Sequence, residues 1–161
     1  MPTRIRPVAH TDGEAVVRLS LLAWTPIFAS FRQVLGPNIY ARLYPDWQTQ
    51  QREVVEQALA DGANKTVWVA EVDGIVAGFV AYILNSADKT GEVWLLAVHP
   101  DHQHRGIGTA LNDLALAKMR QGGMTLAVVG TGGDRGHAPA RRSYEKAGYT
   151  AFPQVRYFKE L

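Results

Sequence analysis

Residues 92–115 run from a nearly unbroken apolar segment, EVWLLAV, through the glycine-bearing polar loop HPDHQHRGIG into a stripe of Ile107, Ala110, Leu111, Leu114 and Ala115 at helical spacing. An apolar strand of that kind needs cover on both faces, and the amphipathic helix that follows supplies part of it. The segment MTLAVVG comes next, so strand, helix and strand make one βαβ crossover, with EVWLLAV expected at the centre of a sheet. The chain is therefore a mixed α/β fold.

The flanking segments agree. Thr11 and Glu14 have capping-box spacing ahead of Val16, Leu19 and Ala23, which predicts a helix over about residues 12–25, kinked or ended by Pro26. Val54, Val55, Ala58 and Leu59 mark a second helix that stops at Asp61 and Gly62. TVWVAEV and IVAGFVAYIL, joined by Asp73 and Gly74, read as an antiparallel hairpin with a type I′ turn. A short helix over about 138–146 ends at Gly148, and VRYFKEL supplies a last strand.

With 161 residues, 47% apolar and 20% charged, the chain matches one globular domain over 1–161, and disorder is excluded as its main state. There is no cysteine, which removes disulfides, thiolate metal sites and a Cys nucleophile. Seventeen Lys and Arg against fifteen Asp and Glu leave a net charge of +2, too little to predict nucleic acid as a partner. No apolar run of membrane length stands out and MPTRIRPVAH has no leader pattern, so the expectation is a cytoplasmic protein without a membrane partner.

A strand that enters a glycine loop and opens a helix is an anion site, because the first turn of a helix has unpaired N–H groups and a partial positive charge. Gly106 and Gly108 permit close approach to the main chain, and His104 and Arg105 add donors at the rim. A P-loop does not fit, since Thr109 and Ala110 follow Gly108 where Lys and then Ser or Thr are needed. A dinucleotide fingerprint fits poorly, because Leu111 stands where its third small residue belongs.

The run Gln103, His104, Arg105, Gly106, Ile107, Gly108, with Val98 and Pro100 upstream, resembles the signature of the GNAT superfamily of acyl-CoA-dependent N-acetyltransferases. His137, Ala140, Tyr144, Glu145, Lys146, Gly148 and Tyr149 resemble that family's second block, with His137 where the family commonly has Asn. The resemblance implies a central mixed twisted sheet of about six or seven strands flanked by helices, in the order β-α-α-β-β-β-α-β-α-β, with a further strand possible at the end. It implies acetyl-CoA as acyl donor, no metal, and a homodimer as an expected assembly. The pyrophosphate would lie on the amides of residues 104–109, among them Thr109. The pantetheine arm would run beside Leu96, Ala97 and Val98, where an N–H near Ala97 or Val98 would polarise the thioester carbonyl.

The acceptor implied is a small-molecule or peptide amine, protonated near neutrality, so a base is required. Glu92 is the candidate, placed by alternation on the face of Trp94 and Leu96, with a solvent-facing edge glutamate as the alternative. Tyr144 occupies the family's position for hydrogen-bonding the departing sulfur, with a packing aromatic as the alternative. His137 and Arg141 are expected to contact the donor, Arg141 or Arg142 through the 3′-phosphate unless they face solvent.

His99, His102 and His104 lack an acidic partner at a metal-binding spacing. GTGGDRG reads as a flexible site wall or a plain turn. Trp24, Phe28, Phe31, Tyr40, Tyr44 and Trp47 form an aromatic wall toward the acceptor or a packed cluster, and Asp46 either attracts the amine or merely faces solvent. The rival to an enzyme is a non-catalytic acyl-CoA-binding sensor or interaction module on the same fold.

Overall fold

The computed structural model describes residues 2–161. Its sheet has five strands, β1 (Arg4–Pro7), β2 (Thr66–Val72), β3 (Ile75–Asn85), β4 (Thr90–Val98) and β5 (Leu126–Val129), side by side in chain order. All neighbours are antiparallel except β4 and β5, which are parallel. The hairpin between β2 and β3 turns on Asp73 and Gly74 at φ 52° and 77°, the left-handed pair that a type I′ turn requires. Helix α3 (Ile107–Gln121) makes the crossover from β4 to β5. Strand β4 is the fourth of five, so β3 holds the centre expected for β4.

Helix α1 (Gly13–Leu43) is longer than its predicted 12–25, and α2 (Trp47–Leu59) follows it. Pro26 does not end α1, because it sits on an exposed face where water can take the freed carbonyl. The real break is Gly36 at φ 75°, ψ 166°, immediately before Pro37, whose ring disfavours helical geometry in the residue ahead of it. The expected capping box is absent. Asp12 takes the N-cap position, and its carboxylate accepts from Ala9 N at 2.7 Å and from Arg6 of β1 at 2.7 and 3.1 Å. Glu14 instead pairs with Arg52 of α2 at 3.0 Å.

The sheet separates two apolar layers. On one side α3 places Ile107, Leu111, Ala115 and Met119 on Val80 and Val93. On the other, Val16, Val17 and Leu19 of α1 and Val55 of α2 meet Val69, Phe79 and Ala97. By length and composition α1 is long and apolar enough to cross a bilayer, contrary to expectation, yet the face bearing Val16, Val17 and Leu19 covers the sheet as a core helix does. Gly78 of β3 makes the α3 layer possible, since a Cβ there would stand 3.0 Å from Ala97 O and 3.2 Å from side-chain carbons of Ile107 and Leu111.

Helix α4 (Ala138–Lys146) closes the described secondary structure, and Gly148 beyond it lies at φ 94°. VRYFKEL forms no strand, a correction to the expected six or seven. An extended segment becomes a strand only when a neighbour pairs its backbone, and the last twelve residues pair with nothing among the described residues. They form an exposed arm in which Phe152 is 84% and Tyr157 92% accessible, while β5 leaves Leu126 and Val128 exposed at the sheet edge.

Candidate active site

The parallel ladder between β4 and β5 is short: it joins Thr90 to Leu126 and ends at Val93 opposite Val129. Beyond that pair β5 departs, and Trp94 to Val98 have lost their neighbour on that side. A bulge sharpens the effect, because Ala81 pairs with Leu95 and Tyr82 with Val93, which leaves Trp94 unmatched. The extra residue also reverses the alternation. Trp94 packs toward the α1 layer and Leu96 toward the α3 layer, so the predicted common face for Glu92, Trp94 and Leu96 does not exist.

His99 N donates to Ala77 O at 2.8 Å. Alternation along the β3–β4 ladder therefore turns the amides of Ala97 and Leu95 toward β3, and those of Leu96 and Val98 into the gap. Of the two carbonyl-polarising donors expected from sequence, Val98 qualifies and Ala97 does not. The gap belongs to a cleft of about 620 Å³ lined by Leu96, Val98, Gly106, Gly108, His137 and Tyr144, among others.

At the mouth of the cleft stands the first turn of α3. Gly106, at φ 80°, is its N-cap and brings no side-chain cap, so the amides of Ile107, Gly108 and Thr109 point outward unpaired, while Ala110 N already bonds Gly106 O at 3.0 Å. His104 is also left-handed, at φ 61°, and lines the cleft, whereas Arg105 is exposed. Gln103 Nε2 donates to Val98 O at 3.1 Å and ties the turn to the end of β4. Nothing but Leu96 and Val98 side chains lies near a Cβ added to Gly108, so its small size leaves cleft space open.

Tyr144 of α4 lines the cleft with no hydrogen-bond partner for its hydroxyl among the described residues, and its ring meets Tyr149 edge-on at 5.6 Å. Burial, with Tyr149 beside it, pushes the Tyr144 phenol up to about 12. Tyr149 OH donates to Asn112 of α3 at 3.3 Å, which anchors the end of α4. Glu92 is exposed and does not line the cleft.

The GTGGDRG loop is pinned, contrary to the flexible wall expected. Ser30 of α1 donates to Asp134 Oδ2 at 2.6 Å, and Gly136 N donates to the same oxygen at 3.0 Å and to Ser30 Oγ at 3.1 Å. Arg141 donates to the carbonyls of Gly132 and Asp134 at 2.6 and 2.7 Å, so its guanidinium is committed to the loop, while Arg142 is exposed. Asp134 Oδ1 meets His137 Nδ1 at 2.5 Å. Asp134 and Ser30 escaped the sequence reading. The spacing of Asp134 and His137 was a usable signal, but Ser30 is 104 residues distant and carried none.

Phe28, Phe31, Tyr44 and Trp47 interlock, with Phe28 stacked on Trp47 at 4.4 Å, and Tyr40 joins at Tyr44. They brace α1 against the start of α2, and of the six aromatics singled out from sequence only Trp24 lines the cleft. Asp46 caps α2 by accepting from Thr49 N at 3.3 Å. Among the described residues no three His, Asp or Glu side chains gather to hold a metal ion.

A family model described as the acetyltransferase (GNAT) family matches residues 33–149. A mycothiol acetyltransferase of Beutenbergia cavernae is 36% identical over 85 residues, covering 52% of this chain and 28% of the relative, so the chain spans under a third of it. A GNAT-family acetyltransferase structure from Desulfovibrio desulfuricans has a TM-score of 0.72 at 26% identity, over 94% of this chain and 87% of that one. The PaiA N-acetyltransferase of Thermoplasma acidophilum, solved with coenzyme A, has the same fold, with a TM-score of 0.73 at 16% identity over 96% and 94% of the two chains. The family model takes in both the α3 turn and the Tyr144 helix, and the chain belongs to the GNAT family of acetyltransferases.

Proposed function

We propose that this chain transfers an acetyl group from acetyl-CoA to the primary amine of a small molecule or peptide by direct attack in a ternary complex. The observation that carries the reading is the separation of β4 from β5 beyond Val93 and Val129, which opens onto the unpaired amides at the start of α3. The residues present fit the donor. Amides 107–109 supply main-chain donors and helix-end charge for a pyrophosphate. Leu96 and Val98 offer the edge of a strand to an amide-bearing arm, as in strand addition, and one of these N–H groups faces the thioester carbonyl.

The chemistry asked of the protein is limited. A fixed N–H stabilises the oxygen that gains charge as the amine attacks, and Tyr144 donates a hydrogen bond to the sulfur that leaves. With the phenol at about 12, complete proton transfer to a thiolate is uphill by about 5 kcal/mol, taking a thiol pKa of about 8.5. Tyr144 therefore stabilises the thiolate without surrendering its proton.

The test is thiol release from acetyl-CoA with a panel of diamines, amino acids, amino sugars and short peptides. The chain has no cysteine, so a thiol reagent reads only the released product. Turnover with at least one amine is expected. Tight CoA binding without turnover on any amine supports the sensor module instead.

A homodimer is part of the same proposal. The apolar arm after Gly148 and the open edge of β5 are each unpaired, and a second copy would satisfy both, the arm of one protomer pairing with β5 of its partner.

A further inference from the structure

The acyl-transfer reading leaves the acceptor's proton without a destination, since Glu92 faces solvent outside the cleft. Of the groups that do line the cleft, His137 is held in the most determined way. Its Nδ1 lies 2.5 Å from Asp134 Oδ1, and the other oxygen of Asp134 is fixed by Ser30 Oγ at 2.6 Å and Gly136 N at 3.0 Å. Phe31 of α1 lies against the ring, with centroids 5.6 Å apart. A carboxylate with both oxygens committed is an acceptor, so the proton between the two groups belongs to Nδ1. Burial works to raise the Asp134 carboxyl, but the hydrogen bonds from Ser30 and His137 outweigh it and hold the group below the ordinary carboxylate value. The neutral imidazole then has its lone pair on Nε2, which has no hydrogen-bond partner among the described residues and is not sealed in the interior, on a ring that lines the cleft.

We infer that His137, oriented by the Asp134 carboxylate and by Ser30 behind it, is the proton acceptor that converts the substrate ammonium into the attacking amine. The inference rests on the acyl-transfer reading. Nε2 takes one proton from R–NH3+, the amine nitrogen forms its bond to the acetyl carbon, and the C–S bond breaks toward sulfur. The second proton lost from nitrogen balances the thiolate, so the products are the amide, the free thiol, and one proton that His137 returns to solvent. Against the ring itself stand Asp134, at Nδ1, and the uncharged Phe31 of α1; Tyr144 lines the same cleft, Arg141 of α4 is turned to the carbonyls of Gly132 and Asp134, and the uncharged Ser30 sits behind Asp134.

Two measurements test this. With an amine that the wild type accepts, kcat/KM is followed against pH for wild type, His137→Gln and Asp134→Asn, together with acetyl-CoA affinity by calorimetry. The wild type is expected to lose activity toward acid, as a step that needs a free base does. His137→Gln is expected to lose about 100-fold or more in kcat/KM, the low end of one general base, along with that acid limb, while calorimetry reads any loss of donor affinity separately. Separately, nitrogen NMR of 15N-histidine protein is expected to find the His137 proton on Nδ1 in wild type and to find that preference weakened by Asp134→Asn. An active wild type whose His137→Gln variant keeps both its turnover and its acid limb overturns the role of His137 alone, as does a proton resident on Nε2. A wild type that accepts no amine overturns the acyl-transfer reading and takes this inference with it.

Discussion

Tyr144 illustrates how one side chain's surroundings bear on the role proposed for it. Its hydroxyl is free, its ring is packed on Tyr149, and burial holds its proton to about 12, so it is a hydrogen-bond donor through the whole working pH range. Replacing it with Phe keeps the packing and removes the donor. Tyr144→Phe should lower kcat by about 10- to 100-fold, the size of one hydrogen bond to a charged group, with acetyl-CoA affinity unchanged by calorimetry. Gly106 is a different case, since its need is conformational. At φ 80° it admits a side chain only under strain, although the space around it is open. Gly106→Ala should cost about 1–2 kcal/mol in chemical denaturation, the usual penalty for left-handed backbone, and should weaken acetyl-CoA binding because the unpaired amides that follow it would be re-aimed.

Elements were legible where their causes are local. The β2–β3 hairpin follows from Asp73 and Gly74, and α3 from a stripe that the chain itself displays, so both stood in the sequence. The bulge at Trp94, the tie from Ser30 to Asp134 and the committed Arg141 depend on partners far along the chain, and no local pattern announces them. The entry to α1 belongs to this second group. Arg6 reaches from β1 to Asp12 and to Glu71 of β2, and in doing so replaces the capping box that Thr11 and Glu14 predicted. The hydrogen bond from Arg6 outweighs burial and holds the Asp12 carboxyl below its usual value. A depressed carboxyl adds stability that is fully present above its unfolded pKa, about 3.9, and that is lost as pH falls through the lower folded value. Asp12→Asn should therefore cost about 1.5–3 kcal/mol at pH 7. In urea melts across pH the gap to wild type should close only in acid, below about pH 4.

At the scale of the molecule, the sheet stops one strand short of where its sequence pointed, and the last twelve residues carry apolar side chains that nothing among the described residues covers. Removing residues 150–161 should leave the melting temperature of the remaining domain within a few degrees, because the arm contributes no buried contact, and should shift a dimer to monomer in light scattering. A truncated chain that stays dimeric places the contact elsewhere. The proposed site was half visible: a strand, a glycine turn and a helix marked the proposed donor end, whereas the proposed base could not be read, since Glu92 lies exposed outside the cleft and the tie that orients His137 runs through Ser30, 104 residues from Asp134. What the whole arrangement does depends on the main chain at the mouth of the gap. The most direct measurement is a titration of 15N-labelled protein with coenzyme A, followed by amide shifts. The amides of Ile107, Gly108 and Thr109 should move together with those of Leu96 and Val98 and saturate with one affinity. Shifts confined to other parts of the chain, or none at millimolar ligand, would contradict the site.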